Sequence, residues 1–229
     1  MTLPLTIISS MATRQLLADL LVQYATRSSQ AVTVESVGGV DAAKRVQAGE
    51  AFDLVVLAGN AIGQLTEAGR LVADSRADIV RSGVAIAVRA GAPRPAITTE
   101  DDIKRAVLAA RSLSYSTGPS GVALAKLFER WGIADEIKSR IVQAPPGVPV
   151  GSLVADGKVE LGFQQLSELM SLPGIDLLGP LPDAIQIITT FSGAVSATST
   201  QAEAARALLD FMASPATAET KRRNGMDPA

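Results

Sequence analysis

Leu5-Thr6-Ile7-Ile8-Ser9-Ser10-Met11-Ala12-Thr13-Arg14-Gln15-Leu16-Leu17 decides how the rest of the chain is read. A four-residue apolar run stops at a serine pair. Leu16, Leu17, Leu20, Leu21 and Tyr24 then recur at the three- and four-residue spacing of a helix face. The order is buried strand, polar junction, helix. It returns twice: Val32-Thr33-Val34 is β-branched, Gly38-Gly39 turns the chain, and Ala42 to Ala48 reads as a helix stopped by Gly49. Phe52 to Leu57 is an unbroken apolar run of strand length, with Gly59-Asn60 after it. Three such units in succession predict a parallel sheet covered by helices on both faces.

Beyond this the alternation pauses and restarts. Val84 to Val88 reads as a strand, closed by the loop signal Gly91-Ala92-Pro93-Arg94-Pro95. Asp101 to Ala109 reads as a helix, Ser112 to Ser116 as extended, Ser120 to Trp131 as a helix and Ile141-Val142 as a short strand. Ala144-Pro145-Pro146-Gly147 reads as a rigid loop, Val150 to Ala155 as a helix and Val159 to Phe163 as a strand. Ile185 to Thr190 reads as a long strand, Gln201 to Met212 as a helix, and a last short helix starts at Pro215, where proline is favoured. Two α/β halves result. Open α/β sheets bind ligands at the carboxyl ends of their strands, so two facing halves imply one shared cleft.

Composition narrows the chemistry. The 229 residues are 47% hydrophobic and 19% charged, enough to bury a core and to exclude disorder. A net charge of −2 gives no electrostatic case for nucleic acid or an anionic membrane surface. With no Cys and no His, thiol nucleophiles, disulfides, zinc sites and the usual histidine base all drop out. Neither metal nor cofactor is expected. Aromatic residues make up only 3%, which argues against aromatic cages and base stacking. No apolar run reaches transmembrane length. The first residues lack a basic segment followed by an apolar one. The expectation is a cytoplasmic protein, or a periplasmic one read without its leader, with monomer as the default state.

Four strand-to-helix junctions carry small polar or glycine residues: Ser9-Ser10-Met11-Ala12-Thr13, Gly38-Gly39-Val40-Asp41, Thr117-Gly118-Pro119-Ser120-Gly121 and Gln164-Gln165. The first three open helices, whose initial N–H groups lack intrahelical partners and favour an anion. Serine there also serves as an ordinary cap, and Gly-Gly as an ordinary turn.

The chain resembles the molybdate-binding, ModA-like branch of the type 2 periplasmic solute-binding proteins. The likeness is carried by Leu5 to Ser10, by Ala43 to Gly49 with Phe52 to Val56, by Pro119-Ser120-Gly121-Val122, by Asp156 to Phe163, and by the ending from Phe211 to Pro228. It implies two α/β lobes, each a mainly parallel sheet flanked by helices, joined by two crossing strands. Residues 1–82 with 190–229 form one lobe and 83–189 the other. It also implies hinge closure on an anion and delivery to an ABC-transporter permease. The family's gripping serines fall on Ala12 and on Gly39 or Val40, its small third-loop residue on Ser120 and its tyrosine on Gln165.

Glycine and amides in place of hydroxyls suit a di- or tricarboxylic acid better than molybdate or tungstate. Asn60, Gln164 and Gln165 supply amide donors, and Ser10, Thr13, Thr117 and Ser120 supply hydroxyls. Val148 precedes the helix at Val150, and Arg14 and Arg89 are candidates for a charged clamp. Some relatives of the family are cofactor-free isomerases that shift a double bond in an acid such as aconitate. That reaction needs a base near neutral pH, for which Asp41, Glu35 and Tyr115 are the candidates. A sensor role has less support, because no DNA-binding helix-turn-helix extension is present.

Overall fold

The computed structural model describes residues 3–144 and 147–229; the Pro145-Pro146 pair in the expected rigid loop lies outside them. The chain divides into two compact units, one running up to Arg81 and resuming at Thr190–Ala229, the other Ser82–Thr189.

The first unit opens with β1 (Leu5–Ser10), a 3₁₀ turn (Met11–Thr13), α1 (Arg14–Ala25), β2 (Val32–Val37), α2 (Gly39–Gln47), β3 (Leu54–Ala58) and α3 (Gly59–Glu67). Both β2 and β3 pair with β1 in parallel, with Ser10 opposite Val37 and Ser9 opposite Val56. The side-chain alternation explains the apolar runs. Leu5, Ile7, Leu54 and Val56 pack against Leu16, Leu17 and Leu20 of α1 on one face. Ile8, Val55 and Leu57 pack against Ala42, Val46, Ile62 and Leu65 on the other. A strand buried on both faces has no polar positions to alternate with. Asp53 ties the layer together at its base: Oδ2 accepts from the Thr6 N–H at 2.9 Å and from the Thr6 hydroxyl at 3.0 Å, and Oδ1 from the Ser199 hydroxyl at 2.7 Å.

Strand β4 (Ala77–Arg89) runs from the first unit into the second, and β8 (Ile188–Val195) carries the chain back. Between them come α4 (Glu100–Ala109), β5 (Leu113–Tyr115), α5 (Pro119–Arg130), α6 (Ala134–Ile137), α7 (Val150–Ala155), β6 (Leu161–Gln165), α8 (Leu166–Leu169) and β7 (Ile175–Pro180). After β8 the first unit is completed by α9 (Ala202–Ala213), α10 (Ala218–Arg223) and β9 (Asp227–Pro228). In the second unit β5 and β6 pair in parallel. Strand β4 pairs antiparallel with both β6 and β7, so this sheet is mixed where a mainly parallel one was expected. Val84, Ile86, Leu113, Leu161 and Phe163 pack on Ile103, Leu124 and Phe128. Ala85 and Ala87, on the opposite face, meet Leu169.

Other departures have local causes. Strand β8 begins three residues later than expected and includes Phe191-Ser192-Gly193-Ala194-Val195. Gly193 is needed there, since a Cβ would come 2.5 Å from Leu209 Cδ1. Strand β4 begins seven residues before the expected Val84. Ile141 makes a single bridge to Leu113 and forms no strand, while α6 and β7 had no clear sequence signal. Strand β6 is displaced two residues toward its carboxyl end, which places Gln164 and Gln165 inside the sheet.

Candidate functional site

The first unit brings three of its junctions to one edge. Because β2, β1 and β3 are parallel and adjacent, Ser10–Thr13, Gly38–Asp41 and Gly59-Asn60 all leave the sheet at the same end. Ser10 caps the 3₁₀ turn, its hydroxyl accepting from the Ala12 N–H at 3.3 Å, and Thr13 is buried with its hydroxyl donating to the Ser10 carbonyl at 3.0 Å. A Cβ on Gly39 would sit 3.6 Å from the Ser10 hydroxyl, so the first two junctions touch. Met11 is half-buried, Ala12 is buried, and Val40 and Asn60 are exposed. Ser9 is fully buried and bonded to the Ser36 hydroxyl at 2.8 Å, which makes it an internal tie and not a donor to ligand.

Electrostatics at this edge depart from the sequence expectation. Glu35 is not a free base: both Nη atoms of Arg45 hold it, at 2.5 and 2.9 Å, and these bonds keep its carboxyl below the ordinary range. Asp41 sits in the first turn of α2, with Oδ2 3.4 Å from where a Gly38 Cβ would be. It already places a negative charge at the positive end of that helix. Arg14 is exposed and lines an open groove with Leu21, Val22, Val34, Glu35 and Ser36. A cation not picked out from sequence lies instead at the end of β3: Arg76 pairs with Asp78 at 2.9 Å and reaches the Gly59 carbonyl at 3.5 Å. Burial pushes the Asp78 carboxyl up, but the Ser192 hydroxyl and Arg76 together hold it below the ordinary range.

The second unit assembles its own edge, because Tyr115 stands opposite Phe163 and the parallel strands β5 and β6 end together. Pro119 and Ser120 open α5, with the buried Ser120 hydroxyl 3.1 Å from that of Ser116 and Thr117 exposed. Gly121 permits this turn: a Cβ would fall 1.6 Å from the Ser116 carbonyl oxygen, an impossible approach. Val148 is exposed just before α7. Burial pushes the Tyr115 phenol above its ordinary range, with Glu129 adding to it, so a tyrosinate there is disfavoured.

Both glutamines are engaged by protein. With its amide nitrogen 2.8 Å from the Ser82 hydroxyl and its oxygen accepting from Thr189 Oγ1 at 2.9 Å, Gln165 binds β6 to its neighbours and is no free donor. Gln164 Oε1 accepts from the Gly151 N–H at 3.1 Å, and its Nε2 donates to Glu168 Oε1 at 2.9 Å. Arg89 is misplaced as a clamp. Val84 is opposite Gln165, and Arg89 lies five residues further along β4, about 17 Å toward the other end of the sheet. Its guanidinium packs near Gly157.

Sequence reasoning missed Glu168. Burial raises its carboxyl from the usual 4.5 to about 7, against the opposing bond from Gln164. The available signal was a lone acid in Leu166-Ser167-Glu168-Leu169-Met170, four residues after Gln164 and directly after a strand. Among the described residues no group of three or more carboxylates is placed to hold a metal, and no helix is long and apolar enough to cross a membrane.

Residues 5–227 match the model of the family described as bacterial extracellular solute-binding protein. The chain belongs to that family. The chain is 42% identical over 187 residues to an aconitate isomerase from a Pseudomonas species, the match covering 80% of the chain and 70% of the relative. Its fold is similar to that of the Azotobacter vinelandii periplasmic molybdate-binding protein, with a TM-score of 0.80, 18% identity, and 97% and 98% of the two chains covered. The sulfate-binding protein SubI of Mycobacterium tuberculosis also scores 0.80 at 17% identity, covering 100% of this chain and 88% of that one. The solute-binding family and an α/β fold like that of the molybdate-binding protein are thereby established.

Proposed function

We propose that this solute-binding-family protein is a cofactor-free isomerase of a small unsaturated tricarboxylic acid of the aconitate type. The 42% identity to an aconitate isomerase carries the reading. The chemistry of the strand edges supports it. Three junctions in the first unit and the Ser116–Ser120 turn in the second offer N–H and hydroxyl donors, and Arg76 offers a guanidinium. We assign Ser10 and Thr13, with Asn60 beside them, as the donors of the first unit, and Thr117 and Ser120, with Val148 nearby, as those of the second. The reaction removes a proton from the carbon next to the double bond and returns one elsewhere, so it needs a near-neutral base and donors for the developing negative charge.

Incubation with cis- and trans-aconitate in D2O, followed by proton NMR, tests the proposal. Interconversion, with deuterium entering the substrate, is the expected result. Absence of both, alongside a thermal shift by the same acids, would favour the second reading. In that reading the chain captures the acid as the solute-binding component of an ABC transporter, in the periplasm if it is exported. The family description supports it.

A further inference from the structure

Among the described residues Glu168 is the one carboxyl group held above its ordinary range. It sits in α8, the turn that begins directly after β6, at the same end of the second sheet as the Ser116–Ser120 turn. Gln164 controls its orientation. With Oε1 of that buried amide fixed by the Gly151 N–H, the NH2 group is directed at Glu168 Oε1, 2.9 Å away. The second carboxylate oxygen has no partner among the described residues.

The packing around Gly151, which holds Gln164, is apolar. Gly151 of α7 is packed by Leu169, Leu172 and Ile175, and Gly162 on the same sheet face lies against Val150 and Val154. No charged side chain acts on Glu168 among the described residues; burial and the Gln164 amide are the two influences on it. Yet the residue as a whole is only half-buried and keeps some contact with solvent.

We infer that Glu168 is the catalytic carboxyl that carries the substrate proton, and that Gln164 is its positioning residue. The inference rests on the isomerase reading above. The Glu168 carboxylate takes a proton from the methylene carbon beside the double bond. The electron pair of that C–H bond becomes the new double bond, displaced by one carbon. The pair from the old double bond then accepts the proton at the former vinyl carbon, returned by the same carboxyl. One C–H bond breaks and one forms, so no oxidant, reductant or co-reactant is required. A carboxyl raised to about 7 is divided between its acid and base forms near neutral pH, as a group that must both take and return a proton should be.

The test compares wild type, E168Q, E168D and Q164M with cis-aconitate in D2O, alongside binding by calorimetry. E168Q keeps the size of the side chain and an oxygen for the Gln164 amide. It should retain aconitate affinity within about threefold while losing turnover by about 10²-fold or more. E168D should recover part of that loss. Wild-type kcat/KM should rise with pH through a limb near 7, and Q164M, lacking the bond that lowers the carboxyl, should move that limb upward. Turnover by E168Q within tenfold of wild type overturns the role of Glu168 and leaves the isomerase reading intact. An inactive wild type that binds aconitate overturns both. If E168Q does not fold, the Q164M limb decides, and an unmoved limb refutes the assignment.

Discussion

Replacing Glu168 with Gln should stabilise the unliganded protein at alkaline pH and leave it unchanged in acid. A carboxyl raised from 4.5 to about 7 prefers its protonated folded form by about 3 kcal/mol. Since Glu168 retains some contact with solvent, we take about 2 kcal/mol as the effective figure. The sign follows from the raised value: the folded state holds the proton more tightly than the unfolded chain. The stability linked to that proton is complete below 4.5, declines as pH rises, and is lost above about 7. Glutamine carries no proton to lose. At pH 8 the variant should therefore melt about 4–8 °C above wild type, from the ~2–4 °C per kcal/mol expected for a chain of this length. At pH 4 the two should coincide. Melting curves of both proteins at several pH values check this, and the subtraction cancels every group they share. A difference independent of pH would refute the reasoning, because packing and not ionisation would then be its source.

Other perturbations probe neighbouring parts of the argument. Gly121→Ala should cost about 3 kcal/mol and lower the melting temperature at every pH, since the added Cβ meets a backbone carbonyl oxygen 1.6 Å away. Asp53→Ala strips a buried acceptor from the Thr6 N–H, the Thr6 hydroxyl and Ser199; urea titration should show a loss of about 3 kcal/mol. Gln165→Ala should lower the stability of the unliganded protein by ~1–2 kcal/mol, read by urea titration, because the amide joins β6 to Ser82 and Thr189. Ser120→Ala should instead weaken the aconitate-induced thermal shift with little change in the unliganded protein, as among the described residues its hydroxyl bonds to that of Ser116 alone.

Much of the first unit was legible because its strands are short, apolar and separated by helices with clear periodicity. Leu5 to Ser10 and Leu54 to Ala58 alternate between two packed faces, so continuous hydrophobicity identified them. The second unit, and the return of the chain into the first along β8, were less legible. The runs around Gln164-Gln165 and Phe191 to Val195 contain amides, hydroxyls and glycine, which resemble loop in a linear reading. Their partners are supplied by distant residues: Gly151 and Ser82 for the amides, Leu209 for the glycine. The site residues divide the same way. The helix starts at Ser10, Gly39 and Ser120 were legible because they have a local signature, whereas the distance of Arg89 from Gln165 depends on strand direction.

By itself, the sequence determined the α/β class, the absence of histidine and cysteine chemistry, and the positions where helices begin with unpaired N–H groups. These are properties of neighbouring residues and of composition, and they do not depend on which strands pair. Only the tertiary structure decided which polar groups were consumed in holding the sheets together and which carboxyl was moved toward neutrality. Desolvation and hydrogen bonding come from atoms brought together across the fold. The same residue type therefore became a paired surface ion at Glu35 and a near-neutral acid at Glu168.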